Sequence, residues 1–102
     1  MDTSDFGRFS DPALLILASL AGGEKHGYAM IEDIEAMAGV RLGPGTLYGA
    51  LSRLEQSGLI QALPADERRR PYRLTALGNA CLRQYLTSLG NFVSLGLQRL
   101  EA

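Results

Sequence analysis

Apolar residues along this chain recur at helical spacing in four stretches, with strand-like alternation between the third and the fourth. The first helix has a clear start. Asp11 stands at the N-cap and Pro12 at the first helical position, where a missing N–H is harmless. Ala13 to Ala21 is apolar nearly all round, which predicts a helix covered on more than one side, and Gly22-Gly23 ends it. A second helix is expected from about His26-Gly27-Tyr28 to Ala38, with Gly39 as its stop. Tyr28, Ile31, Ile34 and Met37 are its expected buried face, and Glu32, Asp33 and Glu35 its solvated one. Val40-Arg41-Leu42 alternates and predicts one short strand.

The third helix, about Pro44 to Ser57, carries the chemistry. Leu47, Leu51 and Leu54 repeat at i, i+4, i+7 and share a buried face. Gly45, Gly49, Ser52, Arg53 and Gln56 lie opposite, a face of small residues and long hydrogen-bonding side chains without an acid. Gly58 suits a left-handed C-terminal cap. Tyr48 lies about 100° from the leucine face, so it fits either the core or the outer surface. The period then changes. Leu59 to Leu63 reads as a strand, Pro64 to Glu67 as a turn, and Arg68 to Leu74 as a returning strand. Pro71 places that second strand at a sheet edge, because proline cannot donate to a ladder.

Thr75 caps the last helix, in which Leu82, Leu86, Leu89, Val93, Gly96 and Leu100 form a heptad-like seam. A rod of roughly 37 Å is too long for a core this small to cover, so the stripe calls for a second copy of the chain. The dimerisation residues expected are Leu82, Leu86, Leu89, Val93 and Leu100. Three segments follow: a flexible arm over 1–10, with Phe6 and Phe9 as docking residues, a domain over 11–74, and a dimerisation helix over 75–102.

Composition adds limits. At 102 residues and 46% hydrophobic, the chain suits one small domain with an appended element. Cys81 is alone, which excludes an internal disulfide, and it reads as a small core residue. No apolar run approaches the roughly 20 residues of a membrane span and no signal pattern opens the chain, so a soluble, cytoplasmic protein with no membrane partner is expected. His26 has no second histidine or nearby cysteine and reads as a helix-start residue, so no metal and no cofactor are expected. No paired-carboxylate, Cys–His or metal constellation supports an enzyme.

The net charge of −1 is unevenly spread. Residues 1–40 hold seven acidic residues against two basic ones, while residues 41–73 hold six arginines against three acids. The basic excess therefore begins at the third helix and culminates in Arg68-Arg69-Arg70 on the hairpin. Two helices joined by a short link, then a hairpin with a basic tip, spell a winged helix-turn-helix: mainly α with a small β-hairpin, plus the long C-terminal dimerisation helix. In that arrangement the third helix enters the major groove of double-stranded DNA, and Arg68, Arg69 and Arg70 reach phosphates or a narrow minor groove. The competing reading is a winged-helix module that binds protein instead of DNA.

His26-Gly27-Tyr28, the run from Gly43 to Glu55, Gly58-Leu59-Ile60, and Arg70-Pro71-Tyr72-Arg73-Leu74-Thr75-Ala76-Leu77-Gly78 together resemble the PadR-type transcriptional regulators. The resemblance spans roughly residues 12–100 and matches the short class with one C-terminal dimerisation helix. It implies a homodimeric repressor that responds to a small-molecule effector, with Thr46, Tyr48, Gly49, Ser52 and Arg53 on the recognition helix. Ser52 and Arg53 are then expected in the groove, and Thr46 and Tyr48 on phosphate. Leu14, Leu17, Phe92 and Leu97 are the expected apolar lining of an effector pocket at the dimer interface. Two positions depart from the family pattern. Gly43 replaces a Ser or Thr cap, and Pro71 replaces a basic or aromatic residue.

Overall fold

Asp11 starts the first helix, α1 (Pro12–Ala21), by accepting the Ala13 N–H on Oδ1 at 3.1 Å. The structure, a computed structural model, describes residues 11–102; the arm expected over 1–10, with Phe6 and Phe9, lies outside the described residues. Leu14, Leu15, Ile16, Leu17 and Leu20 are all buried, so α1 is enclosed on several sides as its composition predicts. Ser19 is buried among them. Its hydroxyl donates to Asp33 Oδ2 at 2.6 Å, while Lys25 Nζ donates to the Ser19 carbonyl at 2.6 Å. Asp33 is therefore a structural acceptor, where the sequence placed it on a purely solvated face.

A two-residue strand, β1 (Lys25–His26), precedes α2 (Gly27–Ala38). His26 caps α2 through Nδ1, which accepts the Ala29 N–H at 3.4 Å, and Gly39 closes it at φ 71°. The buried face of α2 is Gly27, Met30, Ile31 and Ile34. Tyr28 (59% exposed) and Met37 (49%) leave the face on which they were expected. The cause is Gly27: without a side chain it reads as neutral, yet it is the residue the next helix covers.

Val40, Arg41 and Leu42 form no strand; extended pairing falls to Lys25–His26, which borders a partner. Leu42 is instead a buried plug between helices, and Arg41 pairs with Glu35 at 3.3 Å. The third helix, α3 (Pro44–Gln56), starts at Gly43 with no side-chain cap and buries Leu47, Ala50, Leu51 and Leu54. Gly58, at φ 77°, turns the chain out of it.

Strands β2 (Ile60–Ala62) and β3 (Pro71–Leu74) are shorter than expected, and with β1 they form an antiparallel sheet in the order β1-β3-β2. β3 is thus the central strand, not an edge. Pro71 is tolerated there because it is the first residue of the strand, where its missing N–H interrupts no ladder, and its carbonyl still accepts the Leu63 N–H at 2.8 Å.

The last helix, α4 (Ala76–Glu101), is locked to the sheet at its root. Thr75 Oγ1 donates to the Gly58 carbonyl at 2.6 Å and accepts the Gly78 N–H at 3.0 Å, while the Thr75 N–H reaches the Leu59 carbonyl at 3.1 Å. A Cβ on Gly78 would overlap that same Leu59 carbonyl, so only glycine lets α4 approach. Leu82 is buried against the protomer's own core; it was expected at the head of the dimerisation seam, and it is not offered to a partner. Cys81, expected in the core, is exposed. Beyond Leu89 every residue but Gly96 is exposed, and the principal extents of 55 × 29 × 20 Å reflect this projecting rod.

Candidate nucleic-acid interface

The outer surface of α3 divides by angle. Thr46 and Arg53 lie along one edge, Gly49, Gln56, Gly45 and Ser52 along the middle, and Tyr48 and Glu55 along the other edge. Thr46, Tyr48, Ser52 and Arg53 are exposed and Gly49 is half-buried. The Arg53 guanidinium lies back toward Gly49, where a Cβ would sit 3.7 Å from Nη1. The small residues leave the middle of the helix low, so a surface can come close to its backbone.

Tyr48 resolves outward, at 52% exposure, with its ring over Gly27. A Cβ on Gly27 would lie 2.6 Å from the Tyr48 hydroxyl oxygen and 2.9 Å from Cζ, so the glycine is what seats this ring. Tyr72 of β3 lies beside it. Burial, then Glu55 and Tyr48, push the Tyr72 phenol above its ordinary value, with Arg70 acting in the opposite sense.

The hairpin tip is a tight turn. Asp66 and Arg69 exchange backbone hydrogen bonds of 2.7 and 2.8 Å around Glu67 and Arg68, which take φ values of 47° and 74°. Such a two-residue turn normally asks for Asn-Gly. Here two long charged residues hold left-handed geometry, and the tip keeps an arginine at a position where glycine is cheaper. Arg70 Nη1 donates to the Leu63 carbonyl at 3.1 Å, and Arg69 Nη1 lies 3.4 Å from His26 Nε2. Arg68 makes no hydrogen bond or ion pair with the described residues.

These elements enclose a basin of about 350 Å³, lined by the start of α2 (His26, Gly27, Tyr28), Tyr48 of α3, Tyr72 of β3 and the three hairpin arginines. No carboxylate lines it. Tyr48 and Arg68–Arg70 are therefore brought together, while Thr46 and Arg53 stand on the far edge of α3. The basin also takes in His26, Tyr28 and Tyr72, which sequence reasoning places only at a helix start, on a buried helix face and in the returning strand; their blocks stand in the sequence, but nothing local brings them to one surface.

The remaining expected residues fall elsewhere. Leu86, Val93 and Leu100 are exposed on α4 and Leu89 is half-buried. Leu14 and Leu17 line an apolar cavity of about 200 Å³ between α1 and α4, with Ala13, Cys81, Leu82 and Tyr85. Phe92 and Leu97 do not line it within one protomer; both are exposed further along α4.

A helix-turn-helix followed by a β-hairpin, with small residues on its second helix and arginines on the hairpin, defines a winged-helix protein of the nucleic-acid-binding kind. Residues 16–84 match the family model described as the transcriptional regulator PadR-like family. The chain is 39% identical over 74 residues to the transcriptional regulator Rv3488 of Mycobacterium tuberculosis, covering 70% of this chain and 68% of that one. It is 45% identical over 82 residues to an uncharacterized 37.1 kDa protein in a transposon of Streptomyces fradiae, spanning 80% of this chain but only 24% of that protein's length. Among solved structures, a PadR family transcription regulator from Clostridium difficile R20291 superposes with a TM-score of 0.78 at 26% identity, over 87% of this chain and 97% of that one. RosR of H. salinarum superposes at 0.73 and 28% identity, over 83% and 78%. The chain belongs to the PadR-like family of transcriptional regulators. The family model and the structural neighbour from Clostridium difficile are described as transcriptional regulators, and no helix among the described residues is long and apolar enough to cross a membrane.

Proposed function

We propose that the protein is a homodimeric repressor that binds a pseudo-palindromic operator and releases it on binding a small-molecule effector. The observation that carries the DNA contact is the acid-free basin in which Tyr48 of α3 meets Arg68, Arg69 and Arg70. In this reading α3 enters the major groove with Ser52 and Arg53 toward the bases, and Thr46 and Tyr48 contact phosphate. The hairpin arginines clamp the backbone alongside. Two such units related by a two-fold axis read half-sites about one helical turn apart.

The second copy is supported by α4, where Leu86, Val93, Leu97 and Leu100 share one face and are 45%, 51%, 56% and 84% exposed. Leaving that much apolar side chain in water is unfavourable by about 25 cal/mol per Å², so a partner helix is the natural cover. An effector in the cavity beside Leu14 and Leu17, completed by Phe92 and Leu97 of the second copy, changes the α1–α4 packing and with it the separation of the two α3 helices. The decisive experiment is a gel shift on the DNA upstream of the protein's own coding region, repeated at rising salt. A retarded band that weakens steeply with salt is expected. Absence of any band from a dimeric sample refutes the reading and favours a protein-binding winged helix.

A further inference from the structure

His26 faces more donors than one neutral imidazole can satisfy. Nδ1 lies 3.4 Å from the Ala29 N–H, which it caps, and Nε2 lies 3.4 Å from Arg69 Nη1, a group that can only donate. A neutral ring has a single acceptor nitrogen. If Nδ1 accepts from Ala29, the ring proton sits on Nε2 and points at the guanidinium; if Nε2 accepts, the cap is lost. In the capping state two N–H groups, from His26 and Arg69, converge with no acceptor between them. Among the described residues neither side chain has an ion-pair partner.

The space they face suits an anion. It is the basin of about 350 Å³ described above, bordered by Arg68 and Arg70 and by the hydroxyl-bearing rings of Tyr28, Tyr48 and Tyr72. The acids near His26 lie in a different cleft, of about 300 Å³, where Glu24, Asp66 and Glu67 share the lining with Lys25, Arg69 and Pro71. His26 and Arg69 thus divide an acidic cleft from a basic one. An oxygen with free lone pairs, entering from the basic side, accepts from both and relieves the donor conflict.

We propose that His26 and Arg69 together form an oxyanion site that takes one phosphate of the DNA backbone, with His26 held in register by its capping bond. The proposal rests on the DNA-binding reading above and adds to it the residue that caps α2, outside both α3 and the hairpin. His26 is thereby a phosphate ligand as well as a helix cap.

The two roles separate in His26→Asn. Asparagine is among the strongest N-caps, so it keeps an acceptor for the Ala29 N–H but removes the N–H that points at the phosphate. Fluorescence anisotropy with upstream DNA, at fixed pH and ionic strength, is expected to show the wild type binding about three- to tenfold tighter than His26→Asn. The urea midpoint of the variant should be unchanged. The chain has a single histidine, so its imidazole proton resonance needs no further assignment. That resonance should shift when DNA is added.

Inorganic phosphate, replacing chloride at equal ionic strength, separates the sources. A shift with the duplex but not with the free ion is expected, and an equal shift with both assigns the site to a small anion and overturns the DNA assignment. Equal affinities for wild type and His26→Asn, with the wild type still binding DNA, overturn the His26 role alone. If the wild type shows no salt-dependent DNA binding, the interface reading falls and takes this proposal with it.

Discussion

The sharpest test of the interface is the replacement of Arg68, Arg69 and Arg70 by Ala, read as a change in salt dependence instead of a loss of affinity. Each phosphate neutralised by a cation releases counterions, so log K falls against log salt with a slope of about −0.9 per contact. If each hairpin arginine meets one phosphate, the triple variant flattens the slope by about 2.7 for one wing and about 5.4 for a dimer with two. Between 50 and 200 mM salt, the two-wing figure makes the wild type lose on the order of a thousandfold more affinity than the variant; for one wing the factor is about 40.

The three arginines are not equivalent, and their contacts say how the single variants should differ. Arg68 makes no hydrogen bond or ion pair with the described residues, so Arg68→Ala should remove one slope contribution per wing and leave the urea midpoint unchanged. Arg70→Ala also removes the 3.1 Å bond to the Leu63 carbonyl and should lower stability slightly, by up to about 1 kcal/mol. Arg99→Ala, near the end of α4, is the control and should leave the slope as it is. Anisotropy titrations at four or five salt concentrations supply the slopes. A triple variant that binds more weakly but keeps the wild-type slope would refute the reasoning, because a fold defect lowers affinity without changing the number of ions released.

Five further outcomes follow from particular contacts. Val93→Glu places a carboxylate on the exposed apolar face of α4 and should shift elution from dimer to monomer with little loss of helicity, while DNA affinity falls; elution as a dimer counts against the proposed seam. Gly78→Ala should lower stability by about 2 kcal/mol through the clash with the Leu59 carbonyl. Gly90→Ala, with nothing within 4 Å of its added methyl, should raise stability by about 0.5–1 kcal/mol. Arg68→Gly relieves a left-handed residue and should add about 1 kcal/mol, a rise of several degrees in Tm, while weakening DNA binding. Burial holds the Tyr72 phenol above its ordinary value of 10.0, so the unfolded chain ionises first and stability should fall as pH rises past 10, a trend that Tyr72→Phe abolishes in urea melts.

Local rules carried the helices and failed where a residue's role is set by a neighbour remote in sequence. Asp11, Thr75 and Gly39 act within a few residues of themselves, and the sequence places the elements they bound correctly. Pro71 is the opposite case. Its edge assignment used the missing N–H correctly, but not the existence of β1, a strand of two residues that no periodicity can reveal. Leu82 fitted the heptad as well as Leu86 did; only the position of α1 decides that Leu82 belongs to the protomer's own core. The same holds for Tyr28 and Met37, displaced from the buried face because Gly27 receives Tyr48.

That last contact also explains why separate sequence blocks act as one surface. Gly27 is small so that the Tyr48 ring can lie across the start of α2, and this brings α3 against the residue that caps α2. The cap, His26, is in turn the residue that Arg69 of the hairpin reaches across 43 positions of sequence. A bulkier residue at position 27 would lift Tyr48, open the basin between α3 and the hairpin, and separate the arginines from the helix they flank. Gly27→Ala therefore tests more than packing. Its added methyl, 2.6 Å from the Tyr48 hydroxyl oxygen, must displace that ring, so DNA affinity should fall further than the loss of stability accounts for. The double variant Gly27→Ala/Tyr48→Phe removes the nearest clashing atom, leaving Cζ at 2.9 Å, and should recover part of the stability in urea melts, but not the phosphate contact of the hydroxyl. Recovery of neither would show that Gly27 does not act through Tyr48; recovery of both would remove the Tyr48 hydroxyl from the DNA contact.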